Sequence, residues 1–143
     1  MNQAIDNLEV GQIFKEVIVE NLSRTQIVQY AGASGDFNPL HTDEVFAKDV
    51  AGYPSTFAHG MLGMALTSTL LTKLFDNNVI KKFGVRFQSI IWPGDTLTTE
   101  IIVTSIESID DKEVTDVKKI ELEINTSNQD DQVVIKGTAI IIK

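Results

Sequence analysis

The sequence predicts an α+β domain in which a curved, mostly antiparallel sheet of five or more strands wraps one long central helix. Three observations predict this fold. Residues 59–75 are apolar nearly all round until Lys73, which is typical of a buried helix. The second half of the chain holds four segments rich in β-branched residues. No linker, repeat or low-complexity tract interrupts the chain, so we expect a single domain over residues 1–143.

The first third is expected to form a strand followed by a helix. Residues 11–20 have the composition of a strand. Ser23 and Gln26 then match a capping box, in which each side chain satisfies a free N–H group at the start of a helix. We expect this helix to run through Ala33. The side chains expected to face the core are Ile27, Tyr30 and Ala31.

The segment after this helix is expected to be irregular. Pro39 lacks an N–H group and excludes a continuing helix. Thr42 stands where it can cap a short helix over residues 43–49. The long helix over residues 59–75 follows, and it is too short to cross a bilayer comfortably. We therefore expect it to lie inside the domain.

The second half supplies the strands that are expected to wrap this helix. "WPGD" at residues 92–95 and "NQDD" at residues 128–131 are turn sequences, so we expect two hairpins and mainly antiparallel pairing. From Lys119 to Ile124 charged and apolar residues alternate, which predicts one dry face and one polar face. The four expected strand segments are residues 79–91, 96–109, 116–127 and 132–143.

Composition excludes several classes of function. The chain has no cysteine, which removes disulfides, thiolate nucleophiles and cysteine metal sites. Its formal net charge of −8 would repel phosphate backbones, so no nucleic-acid partner is expected. The N-terminal residues lack the basic start and apolar run of a signal or anchor. We therefore expect a cytoplasmic protein with no membrane association.

The stretch "GDFNPLHTD", residues 35–43, concentrates Asp36, His41 and Asp43. A metal site is disfavoured because no HxH or HExxH spacing occurs and His59, the second histidine, lies far along the chain. A serine hydrolase is disfavoured because GxSxG is absent. A loop turned by Asn-Pro could bring Asp36 and His41 to one water molecule for acid/base chemistry. On composition alone, a plain polar loop remains the alternative.

The segment "FAHGML" at residues 57–62 begins the long helix. The first N–H groups of a helix lack intrahelical partners, and Gly60 has no side chain to block an approaching oxygen. Gly60 is therefore a candidate oxyanion donor. The alternative is that His59 and Gly60 only shape the helix entrance. Ser68 lies two turns further on, where a serine usually bonds its own helix backbone.

Two motifs, "YAGASGDFNPLHTDEVFA" and then "FAHGML", stand in this order along the chain. They closely resemble the hydratase motif of the MaoC-like family, which includes the (R)-specific enoyl-CoA hydratases. "FGVRFQSIIWPGDTLTTEIIV" is similar to the strand pair around that family's "PGD" turn. The resemblance extends from about Leu8 to the C-terminal strand. It implies a hot-dog fold, usually paired into a dimer with active sites at the subunit interface.

The resemblance also implies roles for individual residues at matching positions. Asp36 and His41 would be the catalytic acid/base pair, and Gly60 would supply the oxyanion N–H. Ser68 falls where the family often has a serine near the aspartate. Asn38 would help to fix the loop.

The activity implied by the resemblance is reversible hydration of a trans-2-enoyl thioester to an (R)-3-hydroxyacyl thioester. The substrate would be an acyl-CoA or an acyl-carrier-protein thioester. No metal, nicotinamide or flavin cofactor is implied, since the thioester itself takes up the electrons. A second copy of the chain is the implied protein partner, in a homodimer or a higher homo-oligomer.

Three alternatives stay open. The same chemistry could run as dehydration of 3-hydroxyacyl groups on acyl-carrier protein in fatty-acid synthesis, although an acidic chain suits an acidic carrier poorly and so favours coenzyme A. Hot-dog thioesterases commonly use a carboxylate on or beside the central helix, and this helix has no acid until Asp76. The third alternative is a non-catalytic module that binds acyl thioesters.

Overall fold

The computed structural model describes residues 7–109 and 117–143, which form a five-stranded sheet and a long helix with shorter helices beside it. The helices are α1 (Arg24–Ser34), α2 (Pro39–Thr42) and α3 (Gly60–Leu74), with a π-helical turn over Phe46–Val50. The strands are β1 (Ile13–Val19), β2 (Ile80–Phe87), β3 (Leu97–Ile109), β4 (Val117–Ser127) and β5 (Val133–Ile142). The predicted α+β architecture is confirmed.

The sheet has the strand order β1-β3-β4-β5-β2, and every neighbouring pair is antiparallel. Residues 128–131 join β4 to β5, so the hairpin predicted there is confirmed. The hairpin predicted about residues 92–95 is wrong, because β2 pairs with β5 while β3 lies between β1 and β4. Gly94 N–H donates to the Leu22 carbonyl and Leu22 N–H donates to the Asp95 carbonyl, both at 2.8 Å. These bonds hold the start of β3 beside the end of β1.

The alternation predicted in β4 is confirmed. Ile120, Leu122 and Ile124 are buried, whereas Glu121 and Glu123 keep solvent contact on the other face. Burying apolar side chains on one face stabilises the sheet against the helix that covers it. The largest core cluster consists of Leu70, Leu71, Phe75, Ile101, Val103, Ile120, Leu122, Ile124, Ala139 and Ile141.

Helix α3 covers the dry face of the sheet, and its bounds agree with the predicted residues 59–75. Gly63 allows a close approach: a Cβ there would lie 2.6 Å from Ile91 Cδ1 and 2.9 Å from Ile135 Cδ1. Such contacts leave no room for a larger residue without movement of the core. No helix in the described part of the chain is both long and apolar enough to cross a membrane.

The expectation that this helix is buried on all sides is wrong for the single chain. Met61 is 55% exposed, and Ala65, Thr69 and Thr72 follow it along an exposed side of the helix. The physical reason is that a single sheet packs against only one side of the helix, where Leu70 and Leu71 join the core. We call these four exposed residues, Met61, Ala65, Thr69 and Thr72, the open stripe.

Helix α1 forms as its capping sequence predicts. Gln26 N–H donates to Ser23 Oγ at 3.1 Å and Ser23 N–H donates to Gln26 Oε1 at 2.8 Å, which completes the capping box. Of the side chains predicted to face inward, Ile27 and Ala31 are buried and Tyr30 is partly buried. The helix ends at Gly35, whose φ of 74° is a left-handed conformation that glycine adopts without strain.

Two predictions for the next segment are corrected. Residues 39–42 are one turn of helix and not irregular chain, because proline at the first helical position has no N–H to leave unpaired. The following turn is capped by Asp43 and not by Thr42, since Phe46 N–H donates to Asp43 Oδ1 at 3.0 Å. Thr42 instead belongs to α2.

Candidate active site

The loop between α1 and α2 folds back on itself. Asn38 N–H donates to Asp36 Oδ1 at 3.2 Å, and Leu40 N–H donates to Asn38 Oδ1 at 3.0 Å. The second bond makes Asn38 the N-cap of α2. His41 therefore stands on a short fixed helix, and its side chain is brought back toward Asp36.

The ring of His41 has one nitrogen fixed and one available. Its Nδ1 lies 2.7 Å from the backbone carbonyl of Phe57. Because a carbonyl only accepts, Nδ1 must carry the hydrogen and Nε2 of the neutral ring keeps a lone pair. Burial lowers the pKa of His41, the Phe57 hydrogen bond and the Asp36 charge oppose this, and the nearby His59 adds to the lowering. His41 is thus favoured as a neutral base.

His59 joins this pair, which sequence spacing did not suggest. Its ring is 2% exposed, and its Nε2 lies 3.0 Å from the backbone carbonyl of Asp36. The rings of His59 and His41 are stacked, with centroids 3.7 Å apart and planes inclined by 28°. The sequence signal for His59 is its place directly before Gly60, which is equally consistent with a residue that only shapes the helix entrance.

The carboxylate of Asp36 and ring nitrogens of His41 and His59 lie within 4.8 Å of one another. Such a group raises the question of a cation. An ion about 2 Å from two imidazole nitrogens must lie in both ring planes. Rings stacked 3.7 Å apart with planes inclined by only 28° do not meet at that distance. The stacking geometry therefore opposes a shared metal ion, and a site that works without metal stays our prediction.

Gly60 is the first residue of α3, next to this cluster. Its N–H points out of the first turn, where intrahelical acceptors are missing and the helix dipole is positive. A Cβ on Gly60 would lie 2.8 Å from Cε2 of Phe87. A side chain at this position would therefore displace the ring of Phe87, whereas glycine leaves the ring in place and the N–H open to an approaching oxygen.

A cleft of about 330 Å³ opens beside the start of α3. Gly60 and Phe57 are part of its wall, and most of the remaining wall is apolar. A larger groove of about 730 Å³ lies on the outer face of the sheet and contains none of the candidate site residues. The smaller cleft is the better candidate because its wall includes Gly60 and Phe57, and the Phe57 carbonyl lies 2.7 Å from Nδ1 of His41. Its lining residues are Phe57, Ala58, Gly60, Phe87, Gln88, Ser89, Ile90, Ile91, Val134 and Ile135.

Ser68 has a different partner from the one that the resemblance implies. Its hydroxyl donates to the Ala65 carbonyl at 2.7 Å, within its own helix. This is the ordinary alternative for a helix serine. Its role in supporting Asp36 stays a prediction.

Glu44 ties the two halves of the site together. Its carboxylate accepts from Arg24 Nη1 at 2.6 Å, from Lys48 Nζ at 2.8 Å and from the Thr56 N–H at 3.3 Å. The Arg24 guanidinium, and then Lys48, hold the pKa of Glu44 well below its usual range. This network fixes helix α1 and the segment that leads into α3 around the loop of Asp36. No sequence motif indicates this network.

Taken together, the site offers a carboxylate, an imidazole lone pair and a helix N-terminus at one end of a mainly apolar cleft. The first two can hold and deprotonate a water molecule. The third can stabilise negative charge that develops on a carbonyl oxygen. This combination is suited to adding water beside a carbonyl group.

Comparison with known proteins agrees with this geometry. The MaoC like domain family matches residues 6–125. An (R)-specific enoyl-CoA hydratase from Aeromonas caviae is 33% identical over 102 residues, which cover 70% of this chain and 74% of that enzyme. The solved structure of an (R)-hydratase from A. caviae has a TM-score of 0.74 and 27% identity, over 94% of this chain and 96% of that one.

Other relatives show the fold or match only in part. A double hotdog protein from Mycobacterium tuberculosis has a TM-score of 0.80 at 22% identity, covering 96% of this chain and 42% of that one, which shows the fold alone. The peroxisomal enoyl-CoA hydratase 2 of Arabidopsis thaliana is 35% identical over 79 residues, or 53% of this chain, and this match spans 25% of that enzyme. With its helix-wrapped sheet and matching sequence, the chain has a hot-dog fold and belongs to the MaoC-like domain family of hydratases and dehydratases.

Proposed function

We propose that the protein is an (R)-specific hydratase that interconverts trans-2-enoyl-CoA and (R)-3-hydroxyacyl-CoA. The observation that carries this proposal is the convergence of Asp36 and His41 next to the N-terminus of α3 at Gly60. The similarity to an (R)-specific enoyl-CoA hydratase supports the substrate class.

The first step is addition of water to the β-carbon. Nε2 of His41 accepts one proton from the water molecule while the water oxygen bonds to the β-carbon. The Asp36 carboxylate accepts a hydrogen bond from the second hydrogen of the water, which stays on the oxygen. The electrons of the double bond move toward the thioester oxygen. Asp36 and His41 are suited to these roles because one is an acceptor-only carboxylate and the other has its hydrogen committed to Phe57.

The second step returns a proton to the α-carbon. The negative charge on the thioester oxygen is stabilised by the Gly60 N–H until the imidazolium of His41 delivers its proton. The product therefore contains all atoms of the substrate and the water, and His41 ends neutral. Because water and proton come from the same pair, both add to one face of the double bond.

A second copy of the chain would complete the cleft. Met61 and the rest of the open stripe lie exposed on α3, and β2 is an edge strand of the sheet. Edge strands and exposed apolar side chains are surfaces that proteins usually cover. We therefore propose a homodimer. Light scattering should give the mass of two chains, and a monomeric mass at assay concentration would contradict this.

Substitution of the acid/base pair tests the proposed chemistry. Asp36→Asn and His41→Ala should each lower kcat for crotonyl-CoA hydration by roughly 10²–10⁴, the usual contribution of a general acid or base. Thermal unfolding curves should show that both variants remain folded. If both folded variants kept near-normal activity, the assignment would be wrong. If the unchanged protein released free coenzyme A faster than it hydrated crotonyl-CoA, a thioesterase would be favoured instead.

A further inference from the structure

We propose that His59 is a positioning residue that acts through Asp36 and His41 and contacts neither substrate nor water. This inference rests on the proposed hydration, and it assigns a role to a side chain that sequence spacing left outside the site. It predicts a fixed hydrogen position on each histidine ring and a defined response to substitution.

The first contact fixes the loop. The His59 ring is almost fully buried, and its Nε2 lies 3.0 Å from the Asp36 carbonyl. Since the carbonyl accepts, Nε2 carries the hydrogen in this tautomer. His59 is also the residue that immediately precedes α3, so the bond ties the Asp36 backbone to the start of the helix that presents Gly60. The carboxylate and the proposed oxyanion donor are thus held by one ring.

The second contact supports the base. The face of His59 lies on the face of His41, with ring centroids 3.7 Å apart. Phe57 meets the His41 ring edge-on at 5.3 Å. Together with the bond from His41 Nδ1 to the Phe57 carbonyl, these contacts restrict rotation of the imidazole and aim Nε2. Preorganised geometry of this kind matters because a misplacement of about 1 Å can cost roughly 10² in rate.

The third observation concerns charge. Nδ1 of His59 is buried and has no hydrogen-bond partner among the described residues. A hydrogen on this nitrogen would have no acceptor among the described residues, which agrees with the hydrogen on Nε2. Three titratable side chains lie next to the His59 ring among the described residues. They are Tyr30 from α1, Asp36 from the loop and His41 from α2. Burial lowers the pKa of His41 and the stacked His59 ring adds to this lowering, which favours the neutral form of His41 that accepts a proton from water.

Nitrogen-15 NMR tests the geometry without any assay of activity. The chain has only two histidines, so long-range ¹H–¹⁵N spectra resolve both rings. We expect the hydrogen on Nδ1 of His41 and on Nε2 of His59. A hydrogen on Nδ1 of His59, or rapid exchange between tautomers on both rings, would overturn the proposal.

Two matched variants separate the contacts. His59→Gln keeps an amide N–H near the position of Nε2 but loses the stacked ring, whereas His59→Phe keeps a ring and loses the donor. We expect each to lower kcat by roughly 10²-fold with little change in KM, because the residue does not touch substrate. The neighbouring His59 ring contributes to the lowering of the His41 pKa, so both substitutions should raise that pKa. The acidic limb of the kcat/KM profile should therefore move to higher pH in both variants. Unchanged kcat and pH profile in two folded variants would show a merely structural residue.

The outcome stays decisive if the unchanged protein does not hydrate crotonyl-CoA. That result would reject the proposed function, while the titration of His41 in His59→Phe, followed by NMR, would still test the positioning role. An upward shift relative to the unchanged protein supports it, and the same titration curve in both proteins contradicts it.

Discussion

Removing the N–H of Gly60 gives the sharpest single test of the proposed oxyanion donor. Gly60→Pro deletes this hydrogen at the first position of α3, where proline is well tolerated. The preceding residue, His59, has φ −59° and ψ 137°, an extended conformation that a following proline permits. The helix should therefore form in the variant.

The matched control is Gly60→Ala, which adds a Cβ but keeps the N–H. That Cβ would lie 2.8 Å from Cε2 of Phe87, so the ring must move. The ring is 51% exposed and can turn toward solvent, so we expect a cost near the low end of the usual overpacking range, about 1 kcal/mol. Proline carries the same Cβ, so the comparison keeps the contact with Phe87. Its Cδ replaces the hydrogen on the nitrogen and also fills the space in front of it, so proline removes the donor and blocks the oxygen that would bind there.

Loss of one oxyanion donor usually costs about 10²–10³ in kcat, or roughly 2.7–4 kcal/mol of transition-state stabilisation. We expect Gly60→Pro to lie that far below Gly60→Ala in steady-state hydration of crotonyl-CoA, with similar melting temperatures. Equal activity of the two folded variants would refute the assignment of Gly60 as the donor.

Three further predictions concern stability and pH. Gly63→Ala should lower stability by about 1–3 kcal/mol, because its Cβ would meet Ile91 and Ile135 at 2.6 and 2.9 Å, and adding Ile135→Val should recover part of the loss in chemical denaturation. Burial lowers the pKa of His41 below the ordinary 6.5, so its contribution to stability is full above that pH and is lost as pH falls toward the folded pKa. His41→Gln should flatten this part of a plot of melting temperature against pH. Glu44→Gln should lower both melting temperature and kcat/KM, because Arg24 and Lys48 lose a charged partner, and unchanged values would contradict its clamping role.

Much of the fold follows from local patterns in the sequence. The capping box at Ser23 and the alternation in β4 predicted their elements because both signals are local. The pairing of β2 was not predictable in this way. Strand β2 pairs with β5, which lies far along the chain, while bonds between Leu22 and the turn at Gly94 hold the start of β3 beside the end of β1. A turn sequence shows that the chain reverses and does not show which strand becomes the neighbour.

The candidate site was predictable only in part for the same reason. Asp36 and His41 stand close together in the chain, so a turn was enough to suggest their pairing. His59 is brought to them by the fold, through its bond to the Asp36 carbonyl and its stack on His41. The exposure of the open stripe on α3 does not follow from the sequence, because an apolar pattern predicts burial without showing which surface covers the helix.

The central claim is most directly tested by the product that the protein forms from crotonyl-CoA in water. We predict (R)-3-hydroxybutyryl-CoA as the product, identified by chiral chromatography after hydrolysis of the thioester, with no release of free coenzyme A during the reaction. Formation of the S enantiomer, or release of free coenzyme A without hydration, would contradict the account.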